Sequence, residues 1–80
     1  MERKELFEKL QSIIRDVVDN DEIIIRDETV ATDVDGWDSL AQVLIIGELQ
    51  NVFNVKFTSS EIAGFANVGE LVTSIEAKLK

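Results

Sequence analysis

Apolar residues in this chain return with the period of an α-helix, and that period excludes most other folds. Leu6, Phe7, Leu10, Ile13, Ile14, Val17 and Val18 fall at spacings of one, three, four and seven, which is one stripe of an amphipathic helix from Glu2 to about Val18. The segment DNDE breaks the pattern, and IIIRDETVATDVDGWD has no sustained helical period, so it reads as a long connection. Ile23 to Ile25 have the composition of a short strand but nothing to pair with, so they are expected to pin the loop onto the helices. A second helix should start at Asp38 or Ser39 and run to about Phe53, with Leu40, Val43, Leu44, Ile46, Leu49, Val52 and Phe53 spaced for burial or contact. Ile45 widens that arc beyond what a surface helix needs, which implies that part of it faces a partner.

Two capping boxes mark further helix starts, Thr58 with Glu61 and Asn67 with Glu70. The first opens only a brief turn, because Gly64 follows soon after. The second opens a helix with a stripe of Val68, Leu71, Val72, Ile75 and Leu79. The chain therefore predicts an all-α fold, a small four-helix bundle of three longer helices and one short one, with a long loop between helices 1 and 2. One domain spanning residues 1–80 is expected, with a core of Leu6, Phe7, Leu10, Ile14, Val17, Ile46, Leu49, Phe53, Leu71, Val72 and Ile75.

Charge and composition narrow the function. Eight basic residues against sixteen acidic ones give a formal charge of −8, the wrong sign for nucleic acid or an anionic membrane surface and the right one for basic partners. Cysteine and histidine are absent, which removes thiolate metal sites, a cysteine nucleophile and the commonest general base. An enzyme is not expected. MERKELFEKL holds no continuous apolar core of a signal peptide, and no apolar run approaches a membrane span. The expectation is a cytoplasmic monomer without membrane insertion.

The stretch DVDGWDSLAQVL, Asp33 to Leu44, admits three readings. An EF-hand calcium loop needs glycine at its sixth position and glutamate at its twelfth; counted from Asp33, Gly36 falls fourth and Leu44 twelfth, so no metal site is expected. A helix cap needs an acid such as Asp38 accepting from the first turn, with Asp35 favouring the positive end of the helix dipole and Gly36 supplying the turn. A covalent attachment point needs an exposed hydroxyl, Ser39, at a loop-to-helix junction where unpaired N–H groups favour an anion. Local chemistry leaves the last two open, and they do not compete.

GWDSL opening an apolar helix, Gly36 three residues before the serine, and VFNVKF closing that helix resemble the acyl carrier protein family, over nearly the whole chain. The resemblance implies that Ser39, flanked by Asp38 and Leu40, carries 4′-phosphopantetheine delivered from coenzyme A by a phosphopantetheinyl transferase. It further implies an acyl group held as a thioester on the terminal thiol and presented to acyl-loading and acyl-transferring enzymes. An aminoacyl or peptidyl carrier would use the same serine, and an unmodified acidic helical adaptor would not use it at all. Family members serving general fatty acid synthesis line the partner side of helix 2 with acids. Here the corresponding positions are Leu44, Gly47, Gln50 and Asn51, and Glu48 is the only acid between Ser39 and Phe53. With Trp37, Leu40 and Val43, these positions form the expected partner surface of a carrier specialised for a lipid, a glycan substituent or a secondary metabolite. Trp37 is also expected to pack the Ser39 corner, and Asp27, Glu28, Asp33 and Asp35 to form a solvated acidic face.

Overall fold

A computed structural model describes residues 2–79 and contains four α-helices: α1 (Arg3–Val18), α2 (Ser39–Phe53), α3 (Ser59–Gly64) and α4 (Val68–Leu79). The all-α, four-helix expectation holds, and α1 packs against both α2 and α4. The loop between α1 and α2 adds one element that the sequence did not announce, a 3-10 turn at Ala31–Asp33. Asp33 closes it by accepting from the Val30 N–H (3.1 Å), so this residue belongs to the loop's own hydrogen bonding rather than to a merely solvated face.

The core centres on Leu6, Leu10, Ile14, Ile45, Leu49, Val68, Val72 and Ile75, all fully or almost fully buried. Phe7 and Val17, expected inside, are only partly buried and lie against the core's edge. Phe7 instead lies beneath the Arg3 guanidinium, 5.3 Å from its ring centre, where a cation and an aromatic face attract. Ile45 and Ile46 both enter the core, whereas Val52 and Leu79 remain exposed. The apolar arc of α2 was too wide for spacing alone to fix its register to one residue.

Chain ends of helices turn back to complete the core. Asp19 and Asn54 take left-handed conformations after α1 and α2, the usual way a helix stops and reverses. Beyond Asn54, Val55 and Phe57 return to the interior; Gln50 holds them through its carbonyl (from Val55 N–H, 3.2 Å) and its side chain (from Phe57 N–H, 3.0 Å).

The long loop is strapped down rather than strand-paired, and no strand occurs among the described residues. Ile25 is buried and its N–H donates to Gln11 (2.9 Å), while the Ile23 carbonyl accepts from Arg15 (2.7 Å). Ile24 is exposed, so two of the three isoleucines pin the loop. Further along, Thr29 and Asp27 carbonyls accept from the N–H groups of Val68 (2.8 Å) and Gly69 (2.9 Å) in the first turn of α4. Arg3 completes the strap, bonding Asp27, Glu76, Thr73 and the Gly69 carbonyl. Asp27 is thus an ion-pair partner, which corrects its expected place on a purely solvated acidic face.

Both capping boxes have physical counterparts. Thr58 and Glu61 exchange bonds in full, 3.1 Å and 2.9 Å. Asn67 accepts from Glu70 N–H (2.9 Å), but Glu70 reaches back to Ala66 (3.4 Å) rather than to Asn67, so the second box closes one residue early. Glu61 also pairs with Lys78 of α4 at 2.8 Å, and Lys78 lies over Phe57, whose ring meets Phe65 edge-on. These contacts hold the six-residue α3 against α4.

Gly69→Ala is expected to destabilise the fold by about 1–3 kcal/mol, the usual range for overpacking, because an added Cβ would lie 2.8 Å from the Asp27 carbonyl oxygen. Urea unfolding checks it, and an unchanged midpoint would count against the strap. Lys78, followed by the Thr58 backbone, holds the Glu61 carboxyl below the ordinary carboxylate range. A lowered folded-state pKa contributes stability above the unfolded carboxylate value and loses it as pH falls through the folded value. Glu61→Gln should therefore lower stability at neutral pH and lose less on acidification than the parent, read from urea midpoints at the two pH values.

Candidate functional site

The Ser39 corner is assembled from the end of the long loop and the first turn of α2. Gly36 has φ +88°, a conformation side chains disfavour. A Cβ there would meet the Val18 side chain at 3.4 Å, so the turn rests on the C-terminal end of α1. The next residue, Trp37, donates its backbone N–H to Val34 (3.2 Å), and Val34 is itself buried. Its half-buried indole packs on the core and donates Nε1–H to Gln42 Oε1 at 2.7 Å. The loop and the helix are therefore joined on both sides of the serine.

Asp38 is the N-cap, its carboxylate accepting from Ala41 N–H (2.8 Å) and its carbonyl from Gln42 N–H (2.9 Å). Caps of this kind are worth about 1 kcal/mol. The cap leaves the N–H groups of Ser39 and Leu40 without a hydrogen-bond acceptor among the described residues, at the end of the helix whose dipole favours an anion. Ser39 itself is exposed. An exposed hydroxyl beside two unused donors suits a phosphodiester; Asp38 and the exposed Asp35 oppose it by like charge.

Beyond Ser39 the expected partner residues do not share one surface. Leu40 and Val43 are 68% exposed and Leu44 51%, an unusual run of aliphatic surface on one and a half turns of helix. Val43, Gly47 and Gln50 line a crevice of about 360 Å³ between α2 and α3, together with Gln42, Ile46, Phe57 and Ile62. Leu44 lies on the other side, in a groove of about 350 Å³ shared with Ile13, Asp16, Val17 and Glu48. Asn51 is exposed, and Gln50 is half-buried with its Oε1 already taken by Phe57. A larger open groove, about 760 Å³, runs past Arg3, Asp27, Phe65 and Thr73 and includes no residue of α2.

Ser39 faces the crevice side. Val43, Ile46, Gly47 and Gln50 stand four, seven, eight and eleven positions after it, the stripe of one helix face. Gln42, Phe57 and Ile62 were not singled out from the sequence. The only hint for Gln42 was its place one turn after Ser39, and its bond to Trp37 is a feature of the folded corner. Among the described residues no group of three or more Asp or Glu is placed to hold a metal ion, and no helix is long and apolar enough to cross a membrane.

Comparisons with known proteins agree with this geometry. The family model described as the phosphopantetheine attachment site matches residues 8–75. An acyl carrier protein of Thermotoga maritima is 34% identical over 77 residues, covering 96% of this chain and 95% of that protein. The solution structure of the holo acyl carrier protein of Geobacter metallireducens superposes with a TM-score of 0.85 at 36% identity, covering 92% of this chain and 85% of the other. With a family model over most of its length, a relative covered almost end to end and the same fold, the chain belongs to the acyl carrier protein family, whose members carry acyl groups on phosphopantetheine and perform no catalysis themselves.

Proposed function

We propose that Ser39 is the residue that receives 4′-phosphopantetheine, and that the chain serves a dedicated partner set in a lipid, glycan-modifying or secondary-metabolite pathway. The observation that carries the first part is the exposed Ser39 hydroxyl at a capped, braced helix start with two unused N–H donors beside it. During modification the Ser39 oxygen bonds the pantetheine-side phosphorus of coenzyme A, the phosphoanhydride bond breaks, and adenosine 3′,5′-bisphosphate leaves. The hydroxyl proton passes to a base of the transferase, since this chain has no histidine to take it.

When bound, the group supplies the thiol that this cysteine-free chain lacks, and an acyl chain is carried on it as a thioester. The chain's own contribution is placement. Trp37 and Gln42 fix the first turn of α2 against the loop, Gly36 seats the loop on Val18, and Asp38 stops the helix from unwinding toward Ser39. The crevice on the Ser39 stripe offers shelter from water to what the arm carries. Dependence on coenzyme A supports a cytoplasmic location.

The specialised pathway is favoured by the surface of α2. Exposed Leu40, Val43 and Leu44 with a single acid, Glu48, reduce long-range attraction of a basic partner and leave recognition to shape and apolar contact. Phosphopantetheinyl transferase and the loading and transferring enzymes are the partners this surface would meet, with Trp37, Leu40, Val43, Leu44, Gly47, Gln50 and Asn51 as its candidate contacts.

Incubation of the purified chain with coenzyme A and a broad-specificity transferase should add one phosphopantetheine by intact mass, and Ser39→Ala should abolish the increment while keeping the fold. Retention of the increment in the variant would move the attachment elsewhere. Leu44→Glu should leave stability within about 0.5 kcal/mol, as expected of an exposed site, yet change kcat/KM with the cognate loading enzyme. Equal kinetics would remove Leu44 from the partner surface.

A further inference from the structure

We propose that Gln42 is a positioning residue for the transfer of phosphopantetheine to Ser39, acting through the two residues that precede the serine. This deepens the reading of Ser39 as the point of attachment and rests on it. Gln42 holds each of those residues by a separate bond: its Oε1 accepts from the Trp37 indole at 2.7 Å, and its backbone N–H donates to the Asp38 carbonyl at 2.9 Å. The backbone bond belongs to any first helical turn and needs no particular side chain. The side-chain bond does need one. It joins a loop residue packed on the core to the helix across five positions, and so encloses Ser39 in a closed turn.

Packing does not hold that turn, because Asp38, Ser39 and Leu40 are all exposed. Asp38 caps the helix through Ala41 N–H, but this bond lies within the turn and does not reach back to the loop. Among the described residues, the Trp37–Gln42 bond is the one side-chain-to-side-chain link at the corner. Its acceptor oxygen is spent inside the chain, so Gln42 acts on the serine's placement and not on the phosphate. In the transfer, the Ser39 oxygen bonds the phosphorus as the anhydride bond in line with it breaks, and the hydroxyl proton goes to a base of the transferase. A corner already fixed presents that oxygen without further ordering, whereas a loosened one has to be ordered on binding. Ground-state and transition-state complexes both contain the ordered corner, so the loss falls on KM and leaves kcat near the parent value.

The test is steady-state transfer from coenzyme A by a broad-specificity transferase, with the intact chain as the varied substrate. Gln42→Met removes the acceptor at similar length, Trp37→Phe removes the donor and keeps a ring on the core, and Gln42→Glu keeps an acceptor. KM for the chain should rise roughly three- to tenfold in Gln42→Met and in Trp37→Phe, the range one net hydrogen bond supports. The double variant should be no worse than the poorer single one, because both lose the same bond. Gln42→Glu should recover most of the parent KM, with all variants compared at raised ionic strength to screen the added charge. Nuclear magnetic relaxation of the Ser39 amide should show a lower order parameter in Gln42→Met than in the parent.

Glu61→Gln, which loosens α3 against α4, serves as the control for destabilisation alone and should leave KM unchanged. An equal rise in KM there overturns the proposal, since any loss of stability would then do the same. Additive effects in the double variant also overturn it, because Trp37 and Gln42 would be acting separately, as direct contacts of the transferase. So does a Gln42→Glu variant as poor as Gln42→Met, which would make the lost group the amide donor. Thermal melts confirm folding, and if Gln42→Met does not fold, Trp37→Phe and Gln42→Glu decide the question by the same criteria. An unmodified parent chain beside a modified control carrier defeats the Ser39 reading first. A modified parent with unaltered KM in the Gln42 and Trp37 variants defeats this inference alone.

Discussion

The fold depends on how the twenty residues between α1 and α2 are held, because a loop that long has no regular hydrogen-bond ladder of its own. Two backbone carbonyls, Asp27 and Thr29, take the orphan N–H groups at the start of α4. That arrangement satisfies both the loop and the helix end, which would otherwise each leave polar groups unpaired. Arg3 crosses over the same point, tying the start of α1 to Asp27 and to α4. Gly69 is small because the loop backbone passes directly over it. Once the loop is fixed here and seated by Gly36 on Val18, the position of Ser39 relative to the core follows.

Function then separates along α2. One side supplies Ala41, Ile45, Ile46, Leu49 and Phe53 to the core; the opposite side shows Leu40, Val43 and Leu44 to solvent. A helix apolar on nearly every face is marginal as a surface element, and here the bundle covers only one side of it. The adjacent pair Val43 and Leu44 illustrates the division: they open on different grooves, one toward α3 and one toward α1.

The sequence made the helices legible because each has either a clean stripe or a chemical start signal. α1 shows its period plainly, and Thr58 with Glu61 marks a helix too short to be seen by period at all. The Ser39 corner was legible through local chemistry, since Asp38 caps as its type and position require. Register within α2 was not legible. Spacing left Val52 open to burial or contact, and it is exposed; Ile45 was read only as widening the arc and left out of the expected core, yet it is fully buried. Long-range polar contacts were also hidden: nothing local to Arg3 announces Asp27 or Glu76. Such pairings exist only once the topology brings distant segments together.

The bond from Trp37 to Gln42 has an optical consequence. The chain has one tryptophan and no tyrosine, so its near-ultraviolet emission comes from a single indole, half-buried and anchored two residues before Ser39. Its emission wavelength and anisotropy report on the polarity and rigidity of that one corner, with no competing tyrosine signal. The protein carries its own fluorophore at the corner proposed to receive the prosthetic group.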